Sequence, residues 1–230
     1  MARTSTEARP QSVTVTVGRV TLEGDLGIPG GAGGVVLFAH GSGSGRHSPR
    51  NQFVAARLRA AGLATLLIDL LTESEEVIDE QTARLRFDIP LLADRLAGAI
   101  DWLQRDGRTA GLRVGLFGAS TGGGAALVAA ARRPDRVGAV VSRGGRPDLA
   151  ADDLPLVRCP TLLVVGGDDD VVIGLNDAAF RRLGSPVKEL VIVPGASHLF
   201  EEPGKLDEVA RLAAGWFTRH LSSSGAPAAV

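Results

Sequence analysis

The chain has 230 residues, 44% of them hydrophobic, which suits one compact domain with a sizeable core. Its 25 basic and 26 acidic residues leave a formal charge of −1 with no long run of either sign, which argues against nucleic acid or an anionic membrane as a partner. The single cysteine, Cys159, rules out an internal disulfide and suits a reducing, cytoplasmic setting.

Residues 1–11 are polar, lack the apolar centre of a signal peptide and read as a flexible N-terminus, as does the tail 222–230 at the other end. No stretch approaches the ~18 continuous apolar residues needed to span a bilayer. Between the ends, 12–221 is expected to form the one domain. Alternation over 12–17 and 20–26 predicts two antiparallel strands turning near Gly18. Six short apolar runs follow, at 35–39, 64–69, 113–117, 137–141, 161–165 and 189–193, each bounded by Gly, Pro or Asp. Such runs fit strands buried on both faces. Helical candidates lie between and after them, at 51–61, 90–105, 120–132, 175–183 and 205–221. Gly62, Pro134 and Gly184 stand where the first, third and fourth should stop. The alternation predicts a doubly wound α/β fold, with a mostly parallel sheet of about eight strands and helices on both faces.

In such sheets the chemistry sits at the carboxyl ends of the strands. There the chain reads Gly118-Ala119-Ser120-Thr121-Gly122, a G-x-S-x-G between a strand and an alanine-rich helix. A sharp strand-to-helix turn would hold Ser120 exposed, with the helix dipole behind it. The blander role for Ser120 is that of a helix N-cap. His198, in Gly195-Ala196-Ser197-His198, follows the last strand run and can reach the same edge as a general base. His220 reads as a surface residue of the terminal helix. An orienting acid should follow run 161–165, where Asp168, Asp169 and Asp170 are adjacent and spacing alone does not choose among them. A metal site is the weaker reading of that run, because no second acidic cluster stands at another strand end.

After run 35–39 comes His40-Gly41-Ser42-Gly43-Ser44-Gly45, a glycine-rich loop able to turn an N–H toward a substrate carbonyl. Ser42 and Thr121 are the expected oxyanion donors. A phosphate loop fits less well, since neither G-K-[ST] nor G-x-G-x-x-G is present. His40 reads as a structural hydrogen bonder. The loop continues through Arg46, His47 and Arg50, and a second basic loop begins at Arg143. These four are candidate substrate ligands for a carboxylate or phosphate. The arginines are equally explained as partners of Asp69 or of the 168–170 aspartates.

These motifs resemble the dienelactone hydrolase-like branch of the α/β-hydrolase superfamily, over roughly residues 13–221. The resemblance implies an α/β-hydrolase fold and a nucleophile–acid–histidine set. Its G-x-x-D spacing selects Asp169. It implies a hydrolase of small esters, thioesters or lactones that needs no cofactor or metal. Two departures stand out. Dienelactone hydrolases proper use cysteine where this chain has Ser120, and the segment 142–160 is too short for a full helical lid. The acidic stretch 72–80 is a loop or short helix placed to overhang the site instead. Bacterial relatives sometimes carry a fused phosphoribosyltransferase domain, of which these residues show no sign. A non-catalytic binding protein and an acyltransferase are the alternatives, and a homodimer is left open.

Overall fold

The computed structural model describes residues 9–222. Eight strands form one sheet in the order β1-β2-β4-β3-β5-β6-β7-β8. They are β1 (Gln11–Val17), β2 (Val20–Gly27), β3 (Val35–Ala39), β4 (Ala64–Ile68), β5 (Val114–Ala119), β6 (Val137–Arg143), β7 (Thr161–Gly166) and β8 (Lys188–Val193). The first two pair antiparallel, β2 meets β4 antiparallel, and every other pairing is parallel. Of the segment 1–11, residues 1–8 lie outside the described residues, and Gln11 already pairs with Leu26. Residues 223–230 of the tail also lie outside them.

The continuous apolar runs have a direct structural cause. Along β3, Val35, Leu37 and Ala39 enter one core cluster while Val36 and Phe38 enter the other. Successive side chains of a strand point to opposite faces, so a strand covered on both sides must be apolar throughout. Helices α1 (Pro49–Ala60) and α6 (Lys205–Leu221) cover one face through Val54, Leu58, Val209 and Phe217. The helices α3 (Ile89–Arg105), α4 (Thr121–Arg132) and α5 (Asp170–Arg182) cover the other. Phe38 and Phe117 bring their ring centroids to 4.9 Å in the α1–α6 layer. Burying each such side chain stabilises the fold by about 1.5–3 kcal/mol.

Helix α5 starts at Asp170, five residues before the expected 175, because the 168–170 aspartates end β7's loop and lead straight into its first turn. The acidic stretch is a helix, α2 (Glu73–Thr82), with a capping box: Thr72 Oγ1 accepts from Glu75 N–H at 3.3 Å, and Glu75 Oε2 from Thr72 N–H at 2.8 Å. Between β6 and β7, residues Pro147–Leu156 form a kinked 3-10 segment, with Pro155 inside it, packed on α4 and α5. That segment stays on the helical layer and builds no lid. Among the described residues no helix is long and apolar enough to cross a membrane.

Candidate active site

Ser120 occupies the single residue between β5 and α4. Its backbone is at φ 50°, ψ −122°, a left-handed position that non-glycine residues adopt only under constraint. The constraint comes from both sides. Ser120 N–H donates to the carbonyl of Arg143 at 3.3 Å, and Ser120 C=O accepts from Gly123 and Arg146 at 2.9 and 3.0 Å. A Cβ at Gly122 would collide with the backbone carbonyl of Ala39, so the turn closes only with glycine there. Ser120 makes no side-chain capping bond to its own helix, which leaves Oγ for other work. Thr121 opens the helix, and its N–H is one of the first-turn donors that an α-helix leaves without an internal partner.

The histidine stands across the same edge. His198 Nδ1 lies 2.6 Å from Asp169 Oδ2, and its side chain keeps 37% exposure against 15% for Asp169. Geometry therefore singles out Asp169 among three neighbours, since Asp168 and Asp170 are both exposed. The imidazole rests against Gly144, where an added Cβ would come within 3.5 Å of Cε1 and Nδ1 and 3.0 Å of the His198 carbonyl. Gly144 directly follows Arg143, the residue whose carbonyl holds Ser120 N–H, so serine and histidine are brought together through one strand end. The histidine loop is closed by Glu202, which accepts from Ser197 N–H at 3.0 Å, and that bond holds the Glu202 carboxyl below its ordinary range. Among the described residues no hydrogen bond joins Ser120 Oγ to the ring; such contacts commonly tighten when substrate binds.

The 40–47 loop completes the edge. A Cβ at Gly41 would be 3.1 Å from Ser120 Cβ, which puts this loop beside the serine. Ser42 follows, exposed, in a turn closed by Ser44 N–H donating to Gly41 C=O at 3.2 Å. His40 lies beneath. Its Nε2 accepts from Leu70 N–H at 3.0 Å, which leaves the proton on Nδ1, 3.0 Å from the Gly41 carbonyl. Burial lowers the pKa of His40, so the ring is a neutral strut. A cavity of about 510 Å³ opens between this loop and α2, bordered by Ser42, His47 and Thr121 on one side and by Glu76 and Glu80 on the other.

The basic candidates divide sharply. Arg46 is clamped on Asp69, through its backbone N–H at 2.7 Å and a close guanidinium contact, with Asp25 a further 3.7 Å partner. Arg50 pairs with Glu201 at 2.8 Å. His47 is exposed on the cavity rim. Arg143 is 6% exposed under the histidine loop and has no carboxylate partner among the described residues. It donates a long 3.4 Å bond to Leu199 C=O and stacks 6.0 Å over the Phe200 ring, while its Nε is buried without a partner. Burial first, and the nearby Arg50 second, push its pKa down to about 10, which still leaves it charged at neutral pH.

The stretch 72–80 is expected from the sequence as a loop or short helix over the site, but its cap is not singled out there, although Thr72-x-x-Glu75 before a helix is a readable signal. Glu75 also accepts from the largely buried Arg95 at 2.6 Å. At the other end Asp79 is 4% exposed and accepts from Leu85 N–H at 2.7 Å, Arg86 N–H at 3.1 Å and Arg86 Nε at 2.6 Å. Burial alone would raise the Asp79 carboxyl, but these Arg86 and Leu85 donors outweigh it and hold it below its ordinary value. The lone Cys159 is buried, its thiol pushed up to about 11 by desolvation, and is chemically quiet.

Comparison with known proteins supports the fold and identifies the family. The sequence model of the dienelactone hydrolase family matches residues 23–222. A crystal structure of a dienelactone hydrolase from Anabaena variabilis is 63% identical, covers 93% of this chain and 99% of its own, and superposes with a TM-score of 0.90. A cold-adapted esterase from an Arctic intertidal metagenomic library shares the fold at 19% identity and a TM-score of 0.74, covering 96% of this chain and all of its own. A Mycobacterium tuberculosis protein provisionally named a phosphoribosyl transferase is 54% identical over 217 residues, or 94% of this chain. The match takes in 48% of that protein, so the chain spans about half the length of the curated relatives it matches.

Proposed function

Since the chain belongs to the dienelactone hydrolase family, we propose that it is a serine hydrolase cleaving a small ester, thioester or lactone through an acyl-enzyme on Ser120. The observation that carries this reading is Ser120 in a left-handed turn at the start of α4, at the same sheet edge as the His198–Asp169 pair. Ser120 Oγ attacks the substrate carbonyl while His198 Nε2 takes its proton. Asp169 keeps Nδ1 protonated and stabilises the imidazolium that forms. The N–H groups of Thr121 and Ser42 receive the developing oxyanion, each worth about 2.7–4 kcal/mol of barrier. His198 then gives its proton to the leaving oxygen or sulfur. Water, deprotonated by His198, attacks the acyl-enzyme and releases the acid with Ser120 restored.

The name of the mycobacterial relative describes a protein about twice as long as the match. The test is a fluorophosphonate probe followed by peptide mapping. Labelling is expected at Ser120 and nowhere else, and is lost in Ser120→Ala and His198→Ala. A folded protein that takes no label would sink the proposal in favour of ligand binding without chemistry.

A further inference from the structure

The cavity beside Ser42 and Thr121 has a charge that the arginine-rich loops do not suggest. Four carboxylates border it: Asp69, Glu76, Asp79 and Glu80. Asp69 is neutralised by Arg46 and Asp79 by Arg86. Glu76 and Glu80, one turn apart on α2, form no ion pair among the described residues. The cavity's carboxylates and guanidiniums count four negative against two positive groups, a balance of −2. Crowding is visible in Glu76, whose carboxyl is raised by partial burial, then by Asp69 and Glu80, with Glu73 adding to it and Arg46 opposing it.

A second feature points to a ligand in the same place. Thr121 is 2% exposed and stands on the cavity wall, yet its Oγ1 is buried with no hydrogen-bond partner among the described residues. A donor or acceptor brought against this wall would supply the partner that the protein leaves Thr121 Oγ1 without. Leu71 and Leu92 supply apolar surface between the charges.

Resting on the hydrolase reading, we infer that this cavity selects substrates bearing a cationic group, an ammonium carried by the part of the ester that lies beside the oxyanion donors, with Glu76 and Glu80 as its counter-charges. The polarity is the reverse of what Arg46, Arg50 and Arg143 suggest as a set. Two of those are bound to carboxylates and the third lies beneath the histidine loop, outside the cavity lining. Two carboxylates roughly 7 Å from an ammonium in a half-open cleft should favour it by about fivefold to tenfold at low salt.

The experiment uses methylphosphonate probes of matched size that end in a tert-butyl, a trimethylammonium or a carboxylate group. The varied arm is the leaving group in one series and the retained group in the other. Second-order labelling of Ser120 is expected to be about fivefold or more faster for the cationic probe than for its neutral isostere in one series, and slowest for the anionic probe. That ratio should fall toward one at roughly 0.5 M salt, and should collapse in folded Glu76→Gln/Glu80→Gln. A cationic-to-neutral ratio within about twofold in both series, or a ratio that survives the double substitution, overturns the inference. If no probe labels the serine, the hydrolase reading falls with it; labelling without charge preference removes the cation site alone.

Discussion

The two flanks of Ser120 are built on opposite plans. On the His198 side the floor is packed: Arg143, Phe200 and Gly144 fill the space under the loop, and the guanidinium charge beneath it is buried. On the α2 side the loop 40–47 stands off from the helix, leaves about 510 Å³ open, and faces it with negative charge. The contrast follows from what each flank must do. A base has to be held to within a fraction of an ångström of its partners, which calls for a firm floor beneath it. A substrate needs room, and what remains on the wall around that room sets preference rather than chemistry. The polar loops therefore cannot be read as a class: Arg46 braces a wall, while Arg143 lies under a floor.

The largest effect that tests the packed flank comes from its acid. Asp169→Asn should lower turnover or labelling about 10³–10⁴-fold, because the amide no longer enforces the working tautomer of His198. Asp168→Asn and Asp170→Asn, both exposed, should stay within about twofold of the parent rate. Comparable losses at all three positions would dissolve the distinction drawn from the 2.6 Å Asp169–His198 contact.

A smaller effect separates volume from charge beneath the histidine loop. Arg143→Ala should lose about 2–3 kcal/mol in urea denaturation, because it empties packed space against Phe200. Arg143→Met fills most of that space and removes a buried charge that has no carboxylate partner. Its stability should therefore match or exceed that of the parent. An equal loss in both variants would mean that the guanidinium itself stabilises the flank.

The open flank depends on how α2 is anchored. Asp79→Asn should cost about 1–3 kcal/mol at pH 7, through loss of the charge-assisted bonds to Arg86. Asp79 has a folded pKa below its ordinary 3.8, so its contribution is present above that value. It disappears as pH falls through the folded value, and the gap between parent and variant in urea titrations should narrow in that acid range. The gentlest probe is Thr72→Ala, expected to cost about 1 kcal/mol by removing the cap. Faster amide exchange confined to α2 and the turn after it would support the idea that this wall is a separately anchored piece. Uniform change across the sheet would count against it.

Much of this arrangement is legible in the chain because its causes are local. Strand β3 appears in the sequence with the same bounds as in the structure, since burial on both faces demands an unbroken apolar run. The G-x-S-x-G turn is readable because Gly122 must lie against the Ala39 carbonyl, a constraint only glycine meets. Helix α6 is found at 205–221 as its amphipathic spacing predicts. The start of α5 is less readable, because a triple aspartate serves equally as loop, cap and first turn.

Alternation and motif order thus determine, without coordinates, a parallel α/β sheet and the candidates Ser120 and His198. Local burial and backbone sterics write those features into neighbouring residues. Partnership is different in kind. Arg46 meets Asp69 across 23 positions, Arg50 meets Glu201 across 151, and His198 pairs with Asp169 rather than either neighbour across 29. Attraction between charges depends on distance in space, and the sheet sets that distance by bringing far-apart loops to one edge. Only the tertiary structure could therefore decide which charges are cancelled, which acid meets the histidine, and that the uncancelled pair facing the cavity is Glu76 and Glu80.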